Sequence, residues 1–223
     1  TLYPYEPAHI AATRAVEAKV ESTLGIKKEI FSAKFKEARQ ETKNRLGSIA
    51  SSHSRLLYLQ RTIEKLGLGT RILIVLDLEQ TYWRTFLINC KLFSGVLDFV
   101  QLLKSKGIAT ANITDLTAQI QFRKLVYFGL DEYFDYVVTS EEAGKDKPSR
   151  EPFQLALEKL QVAEEKVWMI GDSAENDIYG AKKHFQMTTL QKIHKGVKVS
   201  NGQFASDVSF NHYSELVKLL ADL

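Results

Sequence analysis

The sequence contains little cysteine and no long apolar run. Cys90 is the single cysteine among 223 residues, so no internal disulfide can form and no zinc cluster built on several cysteines is possible. We therefore expect a reducing, cytoplasmic environment. The longest aliphatic run, residues 72–76, is far shorter than the roughly 20 residues that a membrane-spanning helix needs. No signal-peptide pattern opens the sequence either, which predicts a soluble protein without a membrane partner.

The charges also lack a dominant sign. The chain carries 30 Lys and Arg against 27 Asp and Glu, a formal net charge of +3, and the two signs are mixed along its length. Proteins that bind nucleic acids usually concentrate basic residues on one face, so nucleic acid is not an expected partner. The length and the 44% hydrophobic content suit one catalytic core with an appended smaller domain. Nothing in the sequence indicates an oligomeric state.

The first part of the sequence has the period of helices. Between residues 7 and 89, stretches rich in Ala, Glu, Lys and Leu place apolar residues three or four positions apart. Examples of this spacing are Ile10, Val16, Val20 and Leu24. The stretches are interrupted at Gly25, Gly47, Gly67 and Gly69, as is typical of helix ends. The pattern predicts a unit of four helices.

From Leu92 onward, short β-rich runs alternate with amphipathic helices. The predicted strands cover residues 108–113, 133–139, 166–170, 187–190 and 205–210. Alternation of this kind is typical of an α/β fold with a Rossmann-like parallel sheet and helices on both faces. In open sheets of this type, ligands bind at the carboxyl ends of the strands.

Three of these strand ends carry residues suited to chemistry. Thr114 and Asp115 follow the first predicted strand, Lys147 precedes a proline where a later helix opens, and Asp172 and Asp177 follow the strand that ends in "WMIGD". Taken singly, each has a plainer explanation. A threonine or aspartate after a strand is often a helix cap, and a lysine before proline is often a solvated side chain before a helix start.

The acidic pair gives the strongest of these signals. A helix N-terminus favours a nearby carboxylate because of the helix dipole, which accounts for one acid. It does not explain a strand that ends in Gly-Asp with Asp177 following Asp172 by five positions. Two carboxylates that converge offer the hard oxygen ligands that Mg²⁺ prefers. We therefore interpret Asp172 and Asp177 as candidate magnesium ligands.

Together these features resemble the haloacid dehalogenase-like (HAD) hydrolase superfamily, in its phosphatase branch with a helical cap. The resemblance covers essentially the whole chain and is most specific in residues 93–187, with the phrases "GIATANITDLTAQIQFRKLVYFGLDEYFDYVVTSEEAG", "DKPSREPF" and "WMIGDSAENDIYGA". It implies a link at residues 1–6, a four-helix cap at 7–90 and the α/β core at 91–223.

The resemblance also implies roles for the strand-end residues. Thr114 and Lys147 would be catalytic: the threonine would hydrogen-bond the phosphoryl oxygens, and the lysine would neutralise an aspartyl-phosphate. Thr1 and Asp115 would join them in binding the phosphate, and Asp172 with Asp177 would hold Mg²⁺. Two positions depart from the family's pattern. Ser94 stands where proline is usual, and Ser149 stands where an acid or histidine commonly follows Lys-Pro.

The nucleophilic aspartate of that family has two candidate positions. Asp77 follows an apolar run and precedes Thr81 by four residues, as in the family's Asp-x-Asp-x-Thr motif, but the second acid is Glu79 and the apolar spacing continues at helical intervals. Alternatively, "TLYPYEPAH" at residues 1–9 resembles the end of that motif. Thr1 would then be its threonine, both aspartates would precede Thr1, and "ILIVLDLEQTYW" would be the last cap helix.

We expect a Mg²⁺-dependent hydrolase that removes phosphate from a small phosphorylated metabolite through an aspartyl-phosphate. A non-catalytic binding or regulatory protein remains an alternative, because the sequence contains no Asp-x-Asp. A dehalogenase or phosphonatase of the same fold is another. Tyr3, Tyr5, Tyr82, Trp83 and Arg84 are candidates for the pocket wall, although such aromatic residues more often belong to the core of a helical unit.

Overall fold

The structure is a computed structural model of the chain and describes residues 1–221. It divides into two compact units, one formed by Tyr5–Lys91 and the other by Thr1–Pro4 with Leu92–Leu223. The last two positions of the predicted α/β domain, Asp222 and Leu223, lie outside the described residues. Within residues 1–221, no helix combines the length and the apolar character that crossing a membrane requires.

The first unit is helical, as its period predicts. Its four helices are α1 (Tyr5–Leu24), α2 (Lys28–Leu46), α3 (Arg55–Lys65) and α4 (Ile72–Ile88), and a short 3-10 turn covers Ala50–His53. Gly25 and Gly47 follow α1 and α2 with φ angles of 66° and 70°, a conformation that costs glycine little and other residues more. Ser54 caps α3 by accepting a hydrogen bond from the Leu57 N–H.

Helix α1 packs on α4 through a stripe of small and β-branched residues. Its buried positions recur every four residues, at Ala8, Ala12, Val16 and Val20. The predicted apolar face was therefore partly wrong, because Ile10 is 42% exposed and alanines take its place. Small side chains let two helix backbones approach closely, so alanine contributes to the core here although it adds little hydrophobic area.

The stretch around Asp77 is helical, which excludes the strand interpretation. Asp77 lies inside α4, and its half-exposed carboxylate forms a 2.5 Å ion pair with Lys19 on α1. The apolar run that opens α4 imitates a strand, but Leu78, Tyr82 and Phe86 continue it at four-residue spacing and are buried. The helical period therefore prevails over the β-branched composition of the first residues.

The second unit is α/β. Its strands are β1 (Ala111–Thr114), β2 (Tyr136–Thr139), β3 (Trp168–Gly171), β4 (Thr188–Lys192) and β5 (Val208–Phe210). Its helices are α5 (Val96–Ser105), α6 (Ala118–Tyr127), α7 (Ser140–Ala143), α8 (Arg150–Leu160), α9 (Gly180–His184) and α10 (Tyr213–Ala221). All strand pairs are parallel, which confirms the predicted fold class.

Helices cover both faces of the sheet strands. One apolar cluster joins α5 and α10 to β4 and β5, and a second joins α8 and α9 to β3. Strand β3 contributes to both, because Met169 belongs to the second cluster while Trp168 and Ile170 pack on the first. Successive side chains of a strand point to opposite faces, so a strand with helices on both sides is apolar throughout.

The parallel sheet is split into two parts in residues 1–221. Strand β1 pairs with β2, and β3 pairs with β4, which pairs with β5, but no described strand joins β1 to β3. A cavity of about 710 Å³ lies in this unit, lined by residues 108–115 of the β1 segment and 166–170 of the β3 segment. The described sheet therefore has a gap between β1 and β3. The facing edges of β1 and β3 carry backbone groups that an additional strand would pair with.

Candidate active site

Thr114 and Asp115 lie where β1 ends, and their side chains are placed differently. The half-buried Thr114 hydroxyl lines the cavity and makes no hydrogen bond to any residue of the described chain. The Asp115 carboxylate instead accepts a 2.9 Å hydrogen bond from the Lys147 backbone N–H. Burial raises the pKa of Asp115, although the nearby Lys147 opposes that shift. Asp115 thus fixes the loop that carries the lysine.

Lys147 lies in the loop between α7 and α8 and is almost completely buried. Its Nζ lies 2.7 Å from Asp177 Oδ1 and donates a 3.1 Å hydrogen bond to the Ile113 carbonyl. Burial alone would lower the pKa of Lys147, but the charges of Asp177 and Asp115 outweigh burial, so the pKa rises. The lysine is therefore held charged at the end of β1.

The Gly-Asp ending of β3 has a steric explanation. A Cβ atom at Gly171 would lie 2.2 Å from Asp177 Cβ and 2.4 Å from its Oδ2, a separation that no side chain could tolerate. Glycine therefore lets Asp177, in a π-helical turn over Ala174–Tyr179, fold back onto the strand end. The Ser173 N–H donates a 3.0 Å hydrogen bond to Asp177 Oδ2. Turns of this type are frequent at functional sites.

Asp172 lies at the same rim and is surrounded by donors. Its Oδ1 lies 2.8 Å from the Thr1 ammonium and accepts a 2.5 Å hydrogen bond from the Thr1 hydroxyl. His194 Nε2 lies 3.1 Å from its Oδ2. Burial would raise the pKa of Asp172, but the Thr1 ammonium and these hydrogen bonds lower it well below the usual range. Asp172 is therefore an ionised carboxylate facing positive charge.

His194 is the contact that sequence reasoning did not anticipate. The predicted fourth strand ends at Leu190, but β4 continues to Lys192, which places His194 just past the strand's carboxyl end. That position was the available signal, because Thr114 and Asp172 also lie at or directly after the carboxyl end of a strand. Because Gln191 and Lys192 are polar, the sequence predicted too early an end for this strand, although both residues are buried in β4.

The six residues predicted from sequence line one cavity. These residues are Thr1, Thr114, Asp115, Lys147, Asp172 and Asp177. Asp177, Lys147 and Asp115 contact one another in a chain, while Thr1 contacts Asp172. The arrangement presents a hydroxyl, an ammonium and carboxylates to the same space, at the end of parallel strands where ligands bind.

The oxygen donors at this rim fit a small hard cation. Mg²⁺ is typically bound through one or two carboxylates, with waters and substrate phosphate completing six ligands. Asp172 and Asp177 supply two carboxylates, and within residues 1–221 no group of three or more His, Cys, Asp or Glu side chains forms a fuller metal cage.

Residues 28–190 match the family model described as haloacid dehalogenase-like hydrolase. The chain belongs to the haloacid dehalogenase-like hydrolases. Among its curated relatives, a ribulose-1,5-bisphosphate 5-phosphatase of Halopiger xanaduensis is 36% identical over 182 residues, which cover 81% of this chain and 76% of the relative. A glyceraldehyde 3-phosphate phosphatase of Methanopyrus kandleri is 26% identical over 228 residues, covering 100% of this chain and 94% of the relative.

Solved structures of haloacid dehalogenase-like proteins share the fold. A phosphatase of Thermococcus onnurineus superposes with a TM-score of 0.71 at 24% identity, covering 99% of this chain and 93% of that one. A 2-haloacid dehalogenase of Pseudomonas syringae gives a TM-score of 0.74 at 22% identity, covering 100% and 94%. The predicted family and fold are thereby confirmed. The predicted phosphatase class is confirmed by the curated phosphatase relatives.

Proposed function

We propose that this haloacid dehalogenase-like protein is a Mg²⁺-dependent phosphatase of small phosphorylated metabolites in the cytoplasm. In this proposal residues 91–223 act as the catalytic core, residues 1–6 as the link from the nucleophile loop and residues 7–90 as the helical cap. The observation that carries it is that Thr114, Lys147, Asp172 and Asp177 line a single cavity although they come from three separate strand ends and loops.

Phosphoryl transfer requires positive charge and hydrogen-bond donors around the moving group. The transferring phosphoryl carries negative charge on its equatorial oxygens, so catalysis depends mainly on placing such groups. The Thr114 hydroxyl has no partner within residues 1–221 and is suited to donate to one oxygen. Lys147 Nζ, already ionised beside Asp177, would neutralise the phosphoryl charge, and Asp115 would position Lys147 through its backbone.

Asp172 and Asp177 are proposed to hold Mg²⁺. The bound cation would offset the charge of the phosphate and of the surrounding carboxylates. In a chain with residues ahead of Thr1, the Thr1 ammonium would become a neutral peptide N–H, and Asp172 would lose the cation that now lies 2.8 Å from it. That carboxylate would then require another positive partner, because burying an uncompensated charge is costly.

The nucleophilic aspartate is proposed to lie on a strand directly before Thr1. Such a strand would fill the cavity between β1 and β3, pair with both free edges and end beside Asp172, where Thr1 lies. Its carboxylate would attack phosphorus, forming an acyl phosphate as the ester P–O bond breaks. A second acid would protonate the leaving oxygen, and water would then hydrolyse the acyl phosphate to give inorganic phosphate.

The substrate class follows from the relatives and the site together. The two curated relatives described above are named for phosphorylated sugars or their bisphosphates, and we propose a small sugar phosphate or related metabolite for this chain. Dehalogenation would leave the pair Asp172 and Asp177 without a role. A non-catalytic scaffold is the remaining alternative, and it is favoured only by the lack of an Asp-x-Asp in the sequence.

We expect Mg²⁺-dependent release of inorganic phosphate from sugar phosphates. The assay uses a chain extended before Thr1 by an apolar strand ending in Asp-x-Asp-x, and it compares a panel of phosphate esters and a 2-haloacid with Mg²⁺ and with EDTA. EDTA should lower phosphate release at least ~100-fold, the size of effect expected when a main electrostatic group is lost. Halide release that persists in EDTA would support a dehalogenase, and no release of either product would favour the scaffold.

A further inference from the structure

The helical unit contains an arginine surrounded by aromatic rings. Arg55, the first residue of α3, has its guanidinium carbon 5.5 Å from the ring centre of Tyr58, 5.3 Å from that of Tyr82 and 5.8 Å from that of Trp83. Tyr82 and Trp83 are buried, so the interpretation of these aromatics as core is confirmed for both. The rings hold the guanidinium in place through cation–π contacts.

Arg55 has no acidic partner in the part of the chain that the structure describes. Its Nη1 donates a 2.8 Å hydrogen bond to the His53 carbonyl, and its Nη2 donates to the Tyr5 hydroxyl. Tyr82 is a further side-chain hydrogen-bond partner of the guanidinium, and all of these contacts are with neutral oxygens. A half-buried arginine is normally paired with a carboxylate, since its charge loses hydration there. The positive charge of Arg55 is thus incompletely compensated.

Further basic groups surround this arginine. The His9 ring lies 2.7 Å from the Tyr82 hydroxyl through Nδ1 and stacks on Tyr5 with ring centres 5.2 Å apart. Burial lowers the pKa of His9, and Arg55 lowers it further, with a contribution from the exposed Arg39 that Glu6 opposes. The guanidinium of Arg55, held among these rings, is thus a fixed positive charge that favours an anion here over a further cation.

We propose that Arg55, with His9 nearby, forms a binding site for an oxyanion of the phosphate or carboxylate type on a small molecule. The planar guanidinium fork suits bidentate contact with such groups, and its orientation is fixed by the surrounding rings. The Tyr5 hydroxyl, on a ring that is 37% exposed, is placed to add a donor. This site goes beyond the proposed phosphatase function, which rests on residues of the α/β unit.

The test titrates inorganic phosphate while following the fluorescence of Trp83. The chain contains two tryptophans, so Trp168→Phe leaves Trp83 as the only reporter, with a ring next to Arg55. We expect a saturable change of fluorescence with phosphate in this background. Arg55→Gln should weaken the apparent affinity at least tenfold, and Arg55→Lys about tenfold, because lysine keeps the charge but loses the fork.

Two controls make the result decisive. Arg14→Gln removes an exposed arginine of α1 and should leave the response unchanged. Lys147→Met alters the α/β unit and should also leave it unchanged, which separates this site from the proposed catalytic one. If Arg55→Gln does not fold by circular dichroism, Arg55→Lys decides the matter. No response in the parent, an unchanged affinity in the folded Arg55 variants, or loss of the response in Lys147→Met that is folded by circular dichroism would overturn the proposal.

Discussion

Replacing Lys147 by methionine is expected to lower kcat/KM for Mg²⁺-dependent phosphate release by ~100- to 1000-fold, the cost of removing a main electrostatic contact to the transition state. The same change leaves Asp177, whose side chain is 6% exposed, without its 2.7 Å partner. Breaking a buried pair on one side typically costs ~3–5 kcal/mol of folding free energy. Activity of the extended chain and thermal unfolding measure the two effects separately.

Lys159→Met is the matched control for that variant. Lys159 also forms a short ion pair, 2.6 Å from Glu142, but its side chain is 25% exposed and it does not line the cavity. Its loss should cost at most ~1 kcal/mol and leave kcat/KM unchanged. Lys147→Arg keeps a positive charge beside Asp177 and should recover most of the stability, but little of the activity. Activity of Lys147→Met within a factor of a few of the parent would remove Lys147 from the proposed mechanism.

The ionisation of Lys147 should not limit the pH range of the enzyme. Its pKa is raised in the folded protein, so the stability from its pairing with Asp177 is fully present below the unfolded pKa of about 10.4. That stability is lost only as the pH rises through the higher folded value. Activity changes between neutral pH and about pH 9 should therefore come from other groups.

The second large effect is expected at Asp172. Asp172→Asn keeps the side-chain shape but removes the negative charge, so Mg²⁺ binding should weaken at least ~100-fold and activity at a fixed Mg²⁺ concentration should fall by a similar factor. In the chain that begins at Thr1, the Thr1 ammonium and hydrogen bonds hold the pKa of this carboxyl below its usual range, and in the extended chain the hydrogen bond from the Thr1 hydroxyl still favours the ionised form. Calorimetric titration with Mg²⁺ and activity at rising Mg²⁺ concentration measure the change.

Asp98→Asn provides the control for metal binding. Asp98 is an exposed acid in the first turn of α5 and does not line the cavity, so its change should leave Mg²⁺ affinity as in the parent. Partial recovery of Asp172→Asn activity at high Mg²⁺ would fit a weakened ligand set. An unchanged Mg²⁺ dependence in Asp172→Asn would show that the metal, if used, is bound elsewhere.

Local sequence patterns specified the elements and the rim more reliably than the individual contacts. The alternation after Leu92 predicted all five parallel strands. Short β-branched segments that alternate with amphipathic helices are compatible with few folds other than a parallel α/β sheet. It could not predict that β4 extends through the polar Gln191 and Lys192, whose burial is satisfied by tertiary hydrogen bonds. His194, which contacts Asp172, was missed for the same reason.

The segment around Asp77 shows a different difficulty. Its short apolar run is compatible with both a buried strand and a helix. The first residues of α4 are as apolar as a buried strand, and only the buried positions further along the helix decide between the two periods. Gly171 could be recognised from the sequence as part of a motif, but the requirement for glycine there comes from a tertiary contact. The glycine is needed because Asp177, six positions later in the chain, folds back to within 2.2 Å of where a Cβ would lie.

The most direct measurement compares phosphate release by the chain that begins at Thr1 with release by the chain extended by an apolar strand ending in Asp-x-Asp-x. Each is assayed with a preferred sugar phosphate and Mg²⁺, with and without Asp77→Asn. We predict that only the extended chain releases phosphate, that Asn at the first aspartate of the extension abolishes release, and that Asp77→Asn changes nothing. Loss of activity on Asp77→Asn, or equal activity of the chain beginning at Thr1, would contradict a nucleophile supplied by a strand between β1 and β3.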